Sequence, residues 1–132
     1  MVSSIEKVVI DFLDAFSQHD INRSISFFSD DCVYTDMAFE KTYNGKKELA
    51  DFFNQLSKEF PDHKWELVSI FSTTNKVAFE SIWSGTHSYS SNPDIPATGN
   101  LVKLKASTIM EFRDDKICKA RDYYNLPMPK QG

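Results

Sequence analysis

From Val77 to Asn125 the chain reads as three long strands in succession, and this stretch limits the fold more than any other. The first strand runs from Val77 to about Tyr89 and leads into a polar loop with two prolines. The second spans Leu101 to Phe112, and after an Arg113-Asp114-Asp115 turn the third spans Lys116 to Tyr124. In the second, Val102, Leu104, Ala106, Thr108 and Met110 fall on one face, and Lys103, Lys105, Ser107 and Glu111 on the other. Such a pattern predicts an antiparallel meander whose apolar face must be covered by something else.

The first half of the chain supplies the cover. Ser3 precedes an acidic first turn, and Val9, Phe12, Leu13 and Phe16 recur at helical spacing, which predicts an amphipathic helix ending near His19. Asp20-Ile21-Asn22 caps a second, short helix with Ile21, Ile25 and Phe28 on one side, stopped at Asp30-Asp31. Cys32 to Asp36 favours a short strand with Tyr34 and Asp36 on the same face. Met37 to Tyr43 is expected to be irregular, and Asn44-Gly45 is a turn signal. Lys46 then opens a third helix that carries Leu49, Phe52, Phe53, Leu56 and Phe60 and ends at Pro61. A further strand sets Trp65, Leu67, Ser69 and Phe71 against Lys64, Glu66, Val68 and Ile70. This order predicts one α+β domain over residues 1–132. Its cone-shaped, curved antiparallel sheet would wrap around the N-terminal helices, as in cystatin-like or α+β-barrel folds, with a pocket at the wide end.

Composition narrows the partners. With 41% hydrophobic residues and 11 Phe in 132 residues, the chain has enough apolar bulk for a core. The 15 basic and 19 acidic residues are interspersed, giving a net charge of −4 and no basic stripe, so neither nucleic acid nor a membrane surface is an expected partner. No apolar run approaches the roughly 18 residues of a membrane span, and no signal-peptide pattern opens the chain, so a soluble cytoplasmic protein is expected. Cys32 and Cys118 form no CxxC and are expected as free thiols. Three scattered histidines offer no metal-ligand spacing, and no cofactor is implied.

Four local runs, in this order, carry a family resemblance. They are Phe28 to Asp36 before Asn44-Gly45-Lys46; Phe60-Pro61-Asp62; Trp83-Ser84-Gly85-Thr86-His87 with Pro96-Ala97-Thr98-Gly99; and Arg121-Asp122-Tyr123-Tyr124-Asn125. Together they resemble the nuclear transport factor 2-like superfamily, which includes ketosteroid isomerase, limonene epoxide hydrolase and the SnoaL-like polyketide cyclases; the third run is most similar to the SnoaL-like branch. The resemblance implies a pocket for a small hydrophobic molecule. It also implies a homodimer formed through the outer sheet face, where Ile82, Ile109, Ile117 and Tyr123 are expected among Lys103, Lys105, Lys119 and Arg121.

Candidate site residues follow. Asp36 resembles the general base of the isomerases, and its other reading is a turn-forming Asp bound to nearby backbone N–H groups. Asp122 resembles the water-activating carboxylate of limonene epoxide hydrolase; otherwise it pairs with a buried donor such as Trp83, His63 or a Tyr hydroxyl. His87 is a candidate acid–base residue or a strand-edge residue. Phe12 and Thr108 stand where the isomerases carry their two oxyanion donors, and the epoxide hydrolase Arg-x-Asp is absent from Phe79-Glu80-Ser81-Ile82-Trp83, so neither of those designs is complete. Phe12, Phe16, Tyr34, Phe53, His63, Trp65, Trp83, Thr108 and Tyr124 are the expected ligand-binding set. The expected function is a cofactor-independent acid–base enzyme acting on a hydrophobic cyclic ketone or ester. The alternative is a non-catalytic module binding a small hydrophobic ligand.

Overall fold

The computed structural model describes residues 2–90 and 96–126; Pro93 of the predicted loop lies outside them. Three helices precede most of the sheet: α1 (Ser4–Ser17), α2 (Ile21–Ser26) and α3 (Gly45–Glu59). Six strands follow the chain as β1 (Phe28–Asp36), β2 (Lys41–Asn44), β3 (Lys64–Ser72), β4 (Lys76–Thr86), β5 (Leu101–Arg113) and β6 (Lys116–Tyr124). They form one sheet in the order β2-β1-β6-β5-β4-β3. The sheet is curved and does not close, so it is not a barrel. All pairings are antiparallel except β1 with β6, which run parallel. No helix among the described residues is long and apolar enough to cross a membrane.

Local chemistry sets the helix ends. The Ser3 hydroxyl accepts from the Glu6 N–H and the Asp20 carboxylate from the Arg23 N–H, so each helix start satisfies one otherwise unpaired donor. Phe28, expected on α2, instead begins β1, and the helix stops at Ser26, before Asp30-Asp31. Lys41–Asn44, expected to be irregular, pairs with β1 as a short edge strand. The β5–β6 turn places Asp114 and Asp115 at φ of 52° and 61°, the left-handed pair that a tight hairpin needs.

The core lies where α1 and α3 cover the concave sheet face. Phe12 is fully buried, with its ring 5.3 Å from that of Phe28, 6.0 Å from Phe53 and 5.7 Å from Trp65. Two bulges then reassign faces that strict alternation predicts wrongly. In β3 the register shifts between Leu67 and Ser69, so Ile70 pairs with buried Phe79 and Phe71 with Ala78. Ile70 therefore packs on the core, while Ser69 bonds Glu80 at 2.7 Å on the outer face and Phe71 is 67% exposed. In β6 the shift between Glu111 and Phe112 leaves Cys118 as the extra residue, and Ile117, expected on the outer face, is fully buried. Cys32 is buried and Cys118 half-buried, both as free thiols.

Candidate functional site

The parallel β1–β6 join builds the site. It sets Asp36 directly opposite Asp122 and Tyr34 opposite Ala120, so Tyr34-x-Asp36 and Asp122-x-Tyr124 point their polar groups from neighbouring strands to the same face. The pairs then bond diagonally. The Tyr34 hydroxyl donates to Asp122 Oδ2 at 3.3 Å, and the Tyr124 hydroxyl donates to Asp36 Oδ2 at 2.7 Å. On its other side Asp122 faces Thr108 of β5, whose hydroxyl donates to Oδ1 at 2.9 Å. Asp36 Oδ1 meanwhile accepts the N–H groups of Ala38 and Phe39 at 3.0 and 3.1 Å, pinning the turn that leads to β2.

The two carboxylates thus differ in company. Asp36 receives two backbone N–H groups and a phenol; Asp122 receives only two hydroxyls. Burial raises the Asp122 pKa from 3.8 to about 6, the Asp36 charge adds to the rise, and the bonds from Thr108 and Tyr34 oppose it. Burial, reinforced by the bond to Asp36, holds the Tyr124 phenol well above its ordinary value, and burial with the Asp122 charge does the same to Tyr34. Both phenols therefore remain proton donors at neutral pH.

A cavity of about 770 Å³ opens beside this group, between α3 and the sheet. Asp36, Asp122, Tyr34, Tyr124, Phe16, Phe53, Trp65 and Trp83 line it. Sequence reasoning read Phe52, Leu56 and Phe60 only as a helix stripe and Val102 and Leu104 only as the apolar face of a strand, and passed over Gln55 and Tyr43; all seven line the cavity. The i, i+3, i+4 spacing of Phe52, Gln55 and Leu56 was the signal available for the polar member.

The other predicted site residues sit off the cavity wall. Phe12 is core. Thr108 is fully buried behind Asp122 and acts on it through its hydroxyl. His63, 1% exposed, is buried between the Phe16 ring at 4.4 Å and the stacked His19 ring at 3.9 Å, with Nε2 2.8 Å from the Ser57 hydroxyl. Burial, and then the nearby His19, lowers its pKa to about 4, so it is neutral at physiological pH. His87 stacks on Phe60 at 5.2 Å at the end of β4, and Trp83 meets the same Phe60 ring edge-on at 4.9 Å. Of the buried donors considered for Asp122, a tyrosine hydroxyl is the one that bonds it. Among the described residues, no group of three or more His, Cys, Asp or Glu is placed to hold a metal ion.

The profile of the SnoaL-like polyketide cyclase family matches residues 7–131. A candidate polyketide cyclase from Silicibacter sp. is 25% identical, with a TM-score of 0.79 over 95% of this chain and 91% of that one. AclR, a candidate hydroxylase from Streptomyces galilaeus, is 20% identical over 95% of this chain and 91% of its own, with a TM-score of 0.80. A Catenulispora acidiphila protein of ketosteroid isomerase-like fold, solved with trimethylamine, is 18% identical over 90% of this chain and 85% of its own, with a TM-score of 0.77. The last two likenesses concern the fold alone.

Proposed function

The chain belongs to the SnoaL-like polyketide cyclase family, and from that premise we propose that it is a cofactor-independent acid–base enzyme, of the cyclase or isomerase type, acting on a hydrophobic cyclic ketone or ester. One observation carries the reading: a carboxyl with its pKa near 6, Asp122, at the wall of a large aromatic cavity and held in place by two hydroxyls. At neutral pH this group is ionised yet more basic than an ordinary carboxylate, which suits a general base. In the proposed step Asp122 takes a proton from the carbon beside a carbonyl, becoming a neutral acid, while the electron pair passes into an enolate. The acid then returns the proton to the far carbon of a conjugated dienolate, giving isomerisation, or the enolate carbon attacks a second carbonyl and the acid protonates the alkoxide that forms, giving cyclisation and restoring the carboxylate. Asp36, with its oxygens occupied, serves to fix Tyr124 and the 37–40 turn and to raise the basicity of Asp122 by its charge.

The test is deuterium exchange into 2-tetralone, a bicyclic ketone with an activated C–H, followed by NMR in D2O. The protein is expected to accelerate exchange and Asp122→Asn to lose the acceleration while still binding the ketone. Binding without exchange in the wild type would favour the ligand-binding module instead. The homodimer is proposed through the outer sheet face. Val68, Phe71 and Tyr123 are 61%, 67% and 42% exposed there, beside the Arg121–Glu111 ion pair at 2.7 Å. Sedimentation of the wild type and of Phe71→Glu tests it.

A further inference from the structure

Gln55 stands out on the helical wall of the cavity. It lies three residues after Phe52 and four before Glu59, and with these two and Leu56 it lines the cavity. Its side-chain nitrogen is buried, with two N–H donors and no acceptor among the described residues. Buried amide donors are almost always paired, because a donor removed from water without a new acceptor carries a desolvation cost that nothing offsets. Asp36 and Asp122 are carried on the sheet wall, and their oxygens are already engaged by Tyr34, Thr108, Tyr124, Ala38 and Phe39; Glu59, one turn along α3, also lines the cavity and does not accept from the Gln55 nitrogen. The terminal torsion of a glutamine is broad and roughly two-fold, so the carboxamide can turn its N–H groups toward the cavity at little cost. A carbonyl oxygen of an occupant is the acceptor that such a turn would meet in a wall otherwise dominated by aromatic rings.

We infer that Gln55 is the specificity residue by which the cavity selects an oxygen-bearing occupant, its carboxamide donating to a carbonyl oxygen of the bound molecule. This rests on reading the cavity as a substrate site and adds what that site demands of its substrate. An aromatic wall alone accepts a hydrocarbon and its ketone about equally. A donor that is paired only when the ketone is present favours the ketone, since the hydrocarbon leaves the donor orphaned.

The experiment titrates 15N-labelled protein with 2-tetralone and, separately, with tetralin, the hydrocarbon of the same ring skeleton. The Gln55 side-chain and Trp indole signals report binding. The wild type is expected to bind the ketone about tenfold more tightly than the hydrocarbon, with the Gln55 carboxamide signals moving only for the ketone. Gln55→Met, which keeps the length of the side chain and removes the donor, is expected to reduce that preference to about twofold or less while tetralin still binds. Gln55→Leu is the second variant, and both are expected to melt at or above the wild-type temperature, because an orphan donor has been removed. A preference that survives in both variants, or is absent from the wild type while both probes bind, overturns the inference and leaves the cavity reading standing. Failure of 2-tetralone to bind the wild type overturns both. Loss of the exchange reaction with the ketone preference intact overturns only the proposed chemistry.

Discussion

Asp122 and His63 titrate in the same window and pull stability in opposite directions, so their effects must be read from variants. Asp122 holds its proton more tightly in the folded chain, with a pKa of about 6 against an ordinary 3.8. Between those values the folded state carries more protons than the unfolded one, so stability falls as pH rises through the window and then levels off. At about 1.4 kcal/mol per pH unit the gap amounts to about 3 kcal/mol. His63 is the reverse case, about 4 against 6.5, with burial as the main cause and His19 as the second. The unfolded chain carries the extra proton there, so stability rises with pH, again by about 3 kcal/mol. The two slopes nearly cancel in the wild type. Asp122→Asn removes the falling contribution and should gain about 3 kcal/mol relative to the wild type between about pH 4 and pH 7; His63→Gln removes the rising one and should lose a similar amount. Urea unfolding followed through Trp65 and Trp83 measures both. Asp31, Asp62 and Glu111, whose carboxyls are held below their ordinary values by hydrogen bonds, contribute at lower pH and cancel in the difference. A wild-type-minus-Asp122→Asn difference that stays constant across the window would refute the reasoning.

Three further outcomes follow from single contacts. Thr108→Val removes a bond that lowers the Asp122 pKa, so the midpoint of the pH–rate profile for ketone exchange should move up from near 6, while Thr108→Ser should restore it. Phe12→Ala empties the centre of the aromatic core and should cost about 3–5 kcal/mol in urea unfolding, without altering the ionisation of Asp122. At Gly85 an added Cβ would lie 2.9 Å from Phe60 Cβ and 3.2 Å from Trp83 Cη2. Gly85→Ala must therefore displace two rings of the cavity wall. It should cost about 1–3 kcal/mol and weaken 2-tetralone binding measured by Trp fluorescence.

The helices and the meander were legible because their signals are local: the Ser3 and Asp20 caps, the α1 and α3 periodicity, and the β5 alternation all lie within one element. What alternation could not locate were the bulges. One extra residue breaks the alternation between the two sides of a bulge, so Ile70, after the bulge in β3, and Ile117, before the bulge in β6, went to the wrong face although each strand was placed correctly. Edge strand β2 was missed because Lys41–Asn44 has no apolar alternation; its pairing with β1, four residues long, is set by the hairpin rather than by burial. At the site, Asp36, Asp122, Tyr34 and Tyr124 could each be named, but their partnership depends on a parallel join between strands about 88 residues apart, and no local pattern encodes that register.

That register explains why two carboxylates of one type, directly opposite on neighbouring strands, divide the work. Had β1 and β6 paired one residue out of step, Asp36 and Asp122 would point to opposite faces, and both the diagonal phenol bonds and the repulsion between the charges would vanish. As paired, Asp36 ends its strand, where the chain turns and offers the Ala38 and Phe39 amides; Asp122 lies mid-strand, where its own neighbours' amides are spent on the ladder and only hydroxyls reach it. Burial with only hydroxyl partners, beside the Asp36 charge, raises the proton affinity of Asp122. The same Asp36 side chain both closes the turn and tunes its neighbour, so the turn-forming and functional readings of that residue describe one hydrogen-bonded group.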